Sequence, residues 1–402
     1  MKTTLFRPSI RRAVLLTGVL LAGAGAGTAV GRATAGTPIA VPDSLQRPDL
    51  VQPFNDFFRA YDMVTTNSYY APIADRKRLI YAAINGMLTG GTGDAHTIYI
   101  SPEDNAALQS SLNGSFEGIG AYVDMTTHGV SVIPLPGSPA AAAGLRPGDL
   151  IVRIDGRDVT TLTENQVVAL LRGVAGSRVT LGIQRAGVHG VFSVTLTRRR
   201  ITVPDVSSRM LGDVAYLRLT QFSATAGRDT GAALHTLLLS HPHGLVLDLR
   251  DNPGGLVDTA VDINSQFLPG GSVVLYEQDQ HGRLDAPLRS LGGGQALAIP
   301  MVALVNDGTA SAGEITAGAL QDNGRARIVG ITTYGKGSVQ QVYDLPDNSS
   351  LRVTIRLWLT PHKHLIQSRG ITPDVVVDSP VDDGSAADTQ LARALRLLHT
   401  GH

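Results

Sequence analysis

Residues 299–305, "IPMVALV", carry seven residues without a charge and are followed by "NDGTASAGEITAGAL", residues 306–320. The apolar run reads as a buried strand and the segment after it as a helix. The small residues at the junction let backbone approach backbone closely. Similar units surround it. "VAYLRLTQF" precedes the helical "AGRDTGAALHTLLLS", and "GLVLDLR" precedes "DNPGG" and a helix beginning near Leu256. Strands continue through "ARIVGIT", "SVQQVYDL" and "LRVTIRLWL". From Ile201 onward the chain therefore reads as repeated ββα or βα units around a layered α/β core. A short amphipathic helix, "DTQLARALRLLHTGH", ends it.

A chain of 402 residues has length for two or three domains and a sizeable core. With 43% hydrophobic and 17% charged residues it is globular. Its zero formal charge gives no field that would favour nucleic acid or an acidic membrane. The absence of cysteine excludes disulfides, thiolate catalysis and Cys-ligated zinc.

At the N-terminus "RPSIRR" leads into "AVLLTGVLLAGAGAGTAV" and then "GRATAG". A basic stretch, an apolar stretch and a small-residue "ATA" site make an export signal, with cleavage expected after Ala35. An uncleaved anchor is the alternative, since the apolar stretch is just long enough to span a bilayer. The mature chain is expected to be soluble and outside the cytoplasm. From Pro48 to about Tyr70 a helical stripe runs through Leu50, Phe54, Phe57, Phe58, Tyr61 and Val64. A second stripe, Leu79, Ile80, Ala83 and Met87, ends at the glycine stop "TGGTG". The first hundred residues are expected to be helical, to serve packing or dimerisation, and to hold no polar constellation.

Between about 106 and 198, short β-rich runs ("GAYVDM", "GVSVIPL", "DLIVRIDG", "RVTLGIQRAG", "VFSVTLTR") alternate with turns, and "TENQVVALLRG" reads as a helix. With "SPAAAAGLRPGDLIVRIDGRDV" the pattern resembles a PDZ domain. "GSFEGIGAYV" resembles the PDZ loop that grips a peptide's terminal carboxylate. Gly118 and Gly120 flank Ile119, and glycines let successive N–H groups converge on an anion. The resemblance implies that a peptide adds as a strand at the sheet edge. Arg146, in "GLRPGD", reads as a surface charge or a sensor of the tail.

Ser311 attacks a carbonyl only if a base takes its proton. No histidine lies near it in sequence, and "TASAG" is not the G-x-S-x-G elbow of the α/β-hydrolases. Lys336, in "TTYGKGSVQQ", is the other base on offer. To act near neutral pH its pKa must fall from ~10.4 to ~7–8, roughly 4 kcal/mol, which burial can supply and a surface site cannot. Ser311 opens a helix, whose free N–H groups and dipole favour an oxyanion. The plain alternative is a helix cap, with Glu314 completing a capping box.

"NDGTASAGEI" followed by "GITTYGKGSVQQ" resembles the catalytic region of the C-terminal processing (tail-specific) serine peptidases. The resemblance extends from the N-terminal helices to "GITPDVVV". It implies a ClpP/crotonase-like layered peptidase core with Ser311 as nucleophile, Lys336 as general base and Gln340 orienting the lysine. Its neighbour Gln341 would point to the opposite strand face. "LDLRDNPGGLV" resembles the stretch that gives an oxyanion amide, placed on Gly254 with Gly255 as fallback. Ala312 N–H is the second donor. Arg250 and Asp251 are expected to pair or to brace that turn, Glu314 to be structural, and His96 in "GTGDAHTIYISP" to be structural too. Two residues depart from the family pattern: Ala95 replaces a proline, and Gly313 replaces a larger small residue.

The expected organisation is a signal or anchor (1–35), a helical region (36–105), a PDZ domain (106–198), a peptidase core (199–380) and a tail helix (381–402). The expected activity is that of an exported serine endopeptidase without metal or cofactor. It would act on proteins with accessible apolar C-termini, with a membrane tether and a homo-oligomer through the N-terminal helices as further expectations. The rivals are a non-catalytic peptide-binding scaffold and an esterase using the same dyad.

Overall fold

The computed structural model describes residues 48–69, 75–126, 129–162, 164–202, 204–378 and 388–400. The expected export segment lies outside the described residues. Among them, no helix is long and apolar enough to cross a membrane. The described residues divide into two compact units, one drawn from 107–339 and 356–400, the other from 48–106 and 340–355.

A six-stranded sheet is the core of the larger unit, in the order Val206–Leu211, Val214–Leu219, Gly244–Asp248, Met301–Val305, Arg327–Gly330, Val375–Val376. The first two strands form an antiparallel hairpin and the others pair in parallel. Gly244–Asp248 and Met301–Val305 are buried at every residue. That explains their unbroken apolar runs: both faces of a central strand are covered. On one face Leu245, Leu247 and Ala303 pack with Leu234, Ala260, Ile263, Ile315 and Leu320 from the helices Ala226–Leu238, Val257–Ser265 and Ala312–Asp322. On the other, Val246, Val302 and Leu304 meet Leu391, Ala394, Leu397 and Leu398 of the helix Thr389–Thr400. A buried ion pair pins that last helix. The Arg250 guanidinium bonds Asp248 and also Asp388 Oδ2 at 2.7 Å, and Asp388 Oδ1 accepts the Leu391 N–H at 2.9 Å. Burial penalises the Asp248 charge, but the Arg250 bonds win and hold its carboxyl below the usual range.

The same unit holds an antiparallel sheet in the order Ala121–Thr126, Gly129–Pro134, Asp149–Ile154, Arg178–Gln184, Val191–Thr197. Val130, Val132, Ile151, Leu181 and Ile183 form its core. Ala121–Thr126, directly after the Gly118–Gly120 loop, is an edge strand.

The smaller unit contains the helices Pro48–Asn67 and Arg76–Thr92. The second starts on an Asp75 cap and stops at Gly93, whose φ of 68° needs glycine. The strand Ile98–Ile100 pairs antiparallel with residues 350–352 of the strand Ser350–Leu359. The expectation of no polar constellation in the first hundred residues fails here. Asp94 Oδ1 accepts the His96 N–H at 2.9 Å and Oδ2 accepts the Thr97 hydroxyl at 2.7 Å. The sequence reading leaves the helix Pro102–Leu112 unassigned.

Candidate active site

Three loops leave the carboxyl ends of three neighbouring parallel strands: 249–256 after Gly244–Asp248, 306–311 after Met301–Val305, and 331–337 after Arg327–Gly330. Open α/β sheets place their ligands at such ends. The loops are stitched to one another. Asn252 O accepts the Ala310 N–H at 2.8 Å, the Thr309 hydroxyl donates to Leu249 O at 2.8 Å, and the Tyr334 N–H donates to Thr309 O at 3.0 Å.

Ser311 is the N-cap of Ala312–Asp322, fully buried, at φ 59° and ψ −119°. A non-glycine residue there carries strain of about 1–3 kcal/mol, which persists only where the surroundings impose it. Part of the imposition is visible. A Cβ on Gly254 would stand 2.6 Å from Ser311 Cβ and 2.9 Å from Ala312 N, so glycine alone fits beside the serine. The capping box expected from sequence has its Glu314 arm, with Oε2 accepting the Ser311 N–H at 2.8 Å. Although the hydroxyl sits on the Glu314 side of the box, it makes no hydrogen bond of normal geometry. A buried hydroxyl left without a partner calls for an explanation other than capping.

Lys336 is also buried, at 6% exposure. Its N–H donates to Glu314 Oε2 at 2.9 Å, and its carbonyl accepts the Trp358 indole N–H at 2.9 Å. Gly337 N–H donates to Gln367 Oε1 at 2.9 Å. One carboxylate oxygen thus bonds the backbone amides of both Ser311 and Lys336. The other oxygen accepts the Thr333 hydroxyl at 2.5 Å and the Gly335 N–H at 2.7 Å. Burial pushes the Glu314 carboxyl up, against these four bonds that favour its charged form. Because the Ser311 hydroxyl has no partner, no bond joins it to the lysine amine in this state. Catalytic contacts often tighten only when substrate binds.

Gly254 adjoins Ser311 as expected, but its N–H donates to Asn252 Oδ1 at 2.8 Å. Gly255, at φ 146°, would drive a Cβ to 2.2 Å from Phe222 O. Gln340 belongs to the smaller unit, where it is buried and donates from Nε2 to the Thr354 hydroxyl at 3.2 Å. Gln341 is half-buried, in keeping with strand alternation. Arg250 does not pair with Asp251. Asp248 and Asp388 surround its guanidinium, and Asp251 takes Arg218 at 3.5 Å instead. His96 contributes its N–H to Asp94. Arg146 is exposed, and its N–H braces the buried Asp149 at 2.8 Å. Gly313 is accounted for, since a Cβ would come within 3.1 Å of Thr309 Cγ2 and 3.3 Å of Asn252 O. Outside the PDZ-like sheet, Gly118 pairs with Arg199 in a separate two-stranded sheet, Ile119 is buried, and Gly120 at φ 72° leaves no room for a Cβ against Ser138. Among the described residues no cluster of His, Asp or Glu could hold a metal.

Sequence reasoning placed Glu314 only as a capping and structural residue, although it is the sole charged residue between Asp307 and Asp322, and it passed over Trp358 and Asn252.

The model of peptidase family S41 matches residues 213–377, and that of the PDZ domain matches residues 134–185. The carboxy-terminal-processing protease of Bartonella bacilliformis is 40% identical over 338 residues, covering 82% of this chain and 75% of that protein. The carboxyl-terminal-processing protease of Synechocystis sp. is 39% identical over 342 residues, covering 82% and 79%. A solved photosystem II D1 C-terminal processing protease is 31% identical at a TM-score of 0.52, covering 84% of this chain and 98% of that one.

Proposed function

Because this chain belongs to peptidase family S41 and carries a PDZ domain, we propose that it is an exported endopeptidase with a Ser311–Lys336 dyad. Membership makes it a serine peptidase of the carboxy-terminal processing kind. The residue roles are our reading. The observation that carries it is the Glu314 carboxylate, which ties the backbones of a buried serine and a buried lysine to one oxygen atom.

In this reading Lys336, in its neutral form and oriented by Gln340, takes the proton of Ser311 Oγ while Oγ attacks the peptide carbonyl. The oxyanion forms against the Ala312 N–H and the Gly254 N–H, with Gly255 as the alternative donor. An anionic oxygen is a stronger acceptor than the Asn252 amide oxygen and displaces it from Gly254. Lys336 passes its proton to the leaving amine, and water then releases the acyl-enzyme. Burial of Lys336 supports this reading over a non-catalytic scaffold, for which an exposed ammonium would serve equally well.

The test is digestion of an unstructured protein by wild type, Ser311→Ala and Lys336→Ala. Both variants should lose cleavage, and proteolysis surviving either one rejects the dyad. The PDZ domain captures the substrate's C-terminus along its edge strand. Amidating that terminus should slow cleavage, and equal rates for free and amidated tails reject carboxylate capture. Export, and a membrane tether if the leader stays uncut, rest on the N-terminal sequence, and N-terminal sequencing of the exported protein decides between them. Pairing of two copies through Phe54, Phe57 and Phe58, all exposed on their helix, completes the reading, and light scattering tests it, a monomer's molar mass in solution rejecting it.

A further inference from the structure

Asn252 is fully buried, and each of its four polar atoms is used. Its N–H donates to Leu249 O at 3.2 Å and its carbonyl accepts the Ala310 N–H at 2.8 Å. Its Nδ2 donates to Leu219 O at 2.8 Å, and its Oδ1 accepts the Gly254 N–H at 2.8 Å. The direction of this amide is dictated by main chain on both sides. Leu219 O only accepts and Gly254 N–H only donates, so the NH2 end faces the first and the oxygen faces the second. The chain beyond Gly254 is held as well. The Phe222 N–H donates to Gly254 O at 2.9 Å, and the Leu256 N–H donates to Phe222 O at 2.8 Å. Gly255 has no space for a Cβ against that same Phe222 O. With the backbone tied at 252 and from 254 to 256, the movable half of the Asn252–Gly254 contact is the asparagine side chain.

We propose that Asn252 is a positioning residue for the peptidase reaction: its amide oxygen occupies the Gly254 N–H in the resting site as a neutral stand-in for the oxyanion, so that this donor is released to the transition state and not to the bound substrate. This rests on the reading of Ser311 as nucleophile and of Gly254 as an oxyanion donor. A substrate carbonyl is a neutral acceptor like the amide, so exchanging one for the other gains nothing. An oxyanion makes a charge-assisted bond, roughly twice as strong as a neutral one, and only that exchange is favourable. The donor is therefore engaged as the carbonyl becomes tetrahedral, which raises kcat. A donor left free would hold the substrate as well, which lowers KM without raising kcat. The stand-in also keeps a buried N–H from being orphaned in the empty site.

The experiment measures kcat and KM on an unstructured protein for wild type, Asn252→Ala and Asn252→Leu, the last keeping the branched shape of the side chain, beside Ser311→Ala. Each Asn252 substitution is also combined with Ser311→Ala, and the dissociation constant of an intact peptide from that protein is measured. Circular dichroism shows which variants fold. Without the stand-in the Gly254 N–H is orphaned until a carbonyl reaches it, so KM and the dissociation constant should both fall about tenfold, with no matching rise in kcat. A side chain that merely braced the loop would lower kcat and leave both binding constants unchanged or raised, and that result in a folded variant overturns the proposal. A second measurement leaves Asn252 in place. A peptide boronic acid on wild-type protein forms a tetrahedral boron on Ser311 Oγ with an anionic oxygen. Its crystal structure should show that oxygen on the Gly254 N–H and Asn252 Oδ1 withdrawn, whereas Ser311→Ala with the intact peptide should keep Oδ1 on Gly254. A boronate adduct with Oδ1 still bonded to Gly254, or an intact peptide that has already displaced it, overturns the proposal while leaving the dyad intact. Cleavage surviving in Ser311→Ala overturns the underlying reading instead.

Discussion

Replacing Glu314 by glutamine changes its size hardly at all and tests whether the carboxylate holds the site together. The carboxylate accepts four bonds, from Thr333 Oγ1 and Gly335 N on one oxygen and from Ser311 N and Lys336 N on the other. A glutamine has one accepting oxygen and one NH2 group, so one pair of donors must face another donor. With the NH2 toward Ser311 and Lys336, two backbone N–H groups are orphaned. With it toward Thr333 and Gly335, the threonine can turn its hydroxyl and accept, although its oxygen already takes the Ile371 N–H at 2.7 Å. Only the Gly335 N–H is then stranded, so this orientation wins. An orphaned buried donor costs about 1–3 kcal/mol. The two bonds that remain also fall from charge-assisted to neutral, about 1 kcal/mol each. Relief of the buried charge returns part of this, leaving a net loss of about 2–3 kcal/mol. The stranded group adjoins Lys336, and a shift of ~1 Å in a catalytic loop costs about a hundredfold in rate. Urea unfolding and kcat/KM on an unstructured protein measure both quantities. Folded Glu314→Gln protein with an unchanged midpoint and a rate within about twofold of wild type would refute the role assigned to the carboxylate.

Gly254→Ala should lower kcat at least a hundredfold in peptide-cleavage kinetics, because the new Cβ meets Ser311 and Ala312 and pushes the backbone N–H of position 254 out of place. A near-normal rate would move the oxyanion donor elsewhere. Arg352 is fully buried, its three guanidinium nitrogens have no hydrogen-bond partner among the described residues, and burial lowers its pKa to about 10. Arg352→Met should therefore raise stability by about 1–4 kcal/mol in urea, and a fall would show that the guanidinium is paired in solution. Asp205 is buried against the Ser223 hydroxyl, and burial pushes its carboxyl up to about 6 from 3.8, with the Asp229 charge adding to the rise. Between those values the folded state holds a proton that the unfolded chain has lost. Stability should fall by roughly 3 kcal/mol as pH rises through that window. Asp205→Asn should flatten that slope in pH-dependent unfolding, and an unchanged slope would exclude Asp205 as its source.

The sequence by itself determined the strands and the chemistry-bearing loops. A short unbroken apolar run such as 301–305, bounded by a proline before it and turn residues after it, reads as a buried strand, and its end marks where the loop to Ser311 leaves the sheet. Local rules of this kind work because hydrophobic period, glycine conformation and capping act within a few residues. They failed where a side chain answers to a distant one. The Ser311–Glu314 spacing predicts the capping box that the structure has, but not that the same carboxylate serves the loop around Lys336. Arg250 was expected beside Asp251 and instead reaches Asp388, 138 residues on. Thr97 and Thr354 meet only because the strands Ile98–Ile100 and Ser350–Leu359 pair. No periodicity encodes such contacts. A buried polar group must be satisfied, but which partner satisfies it depends on which strands and loops the folded core brings together.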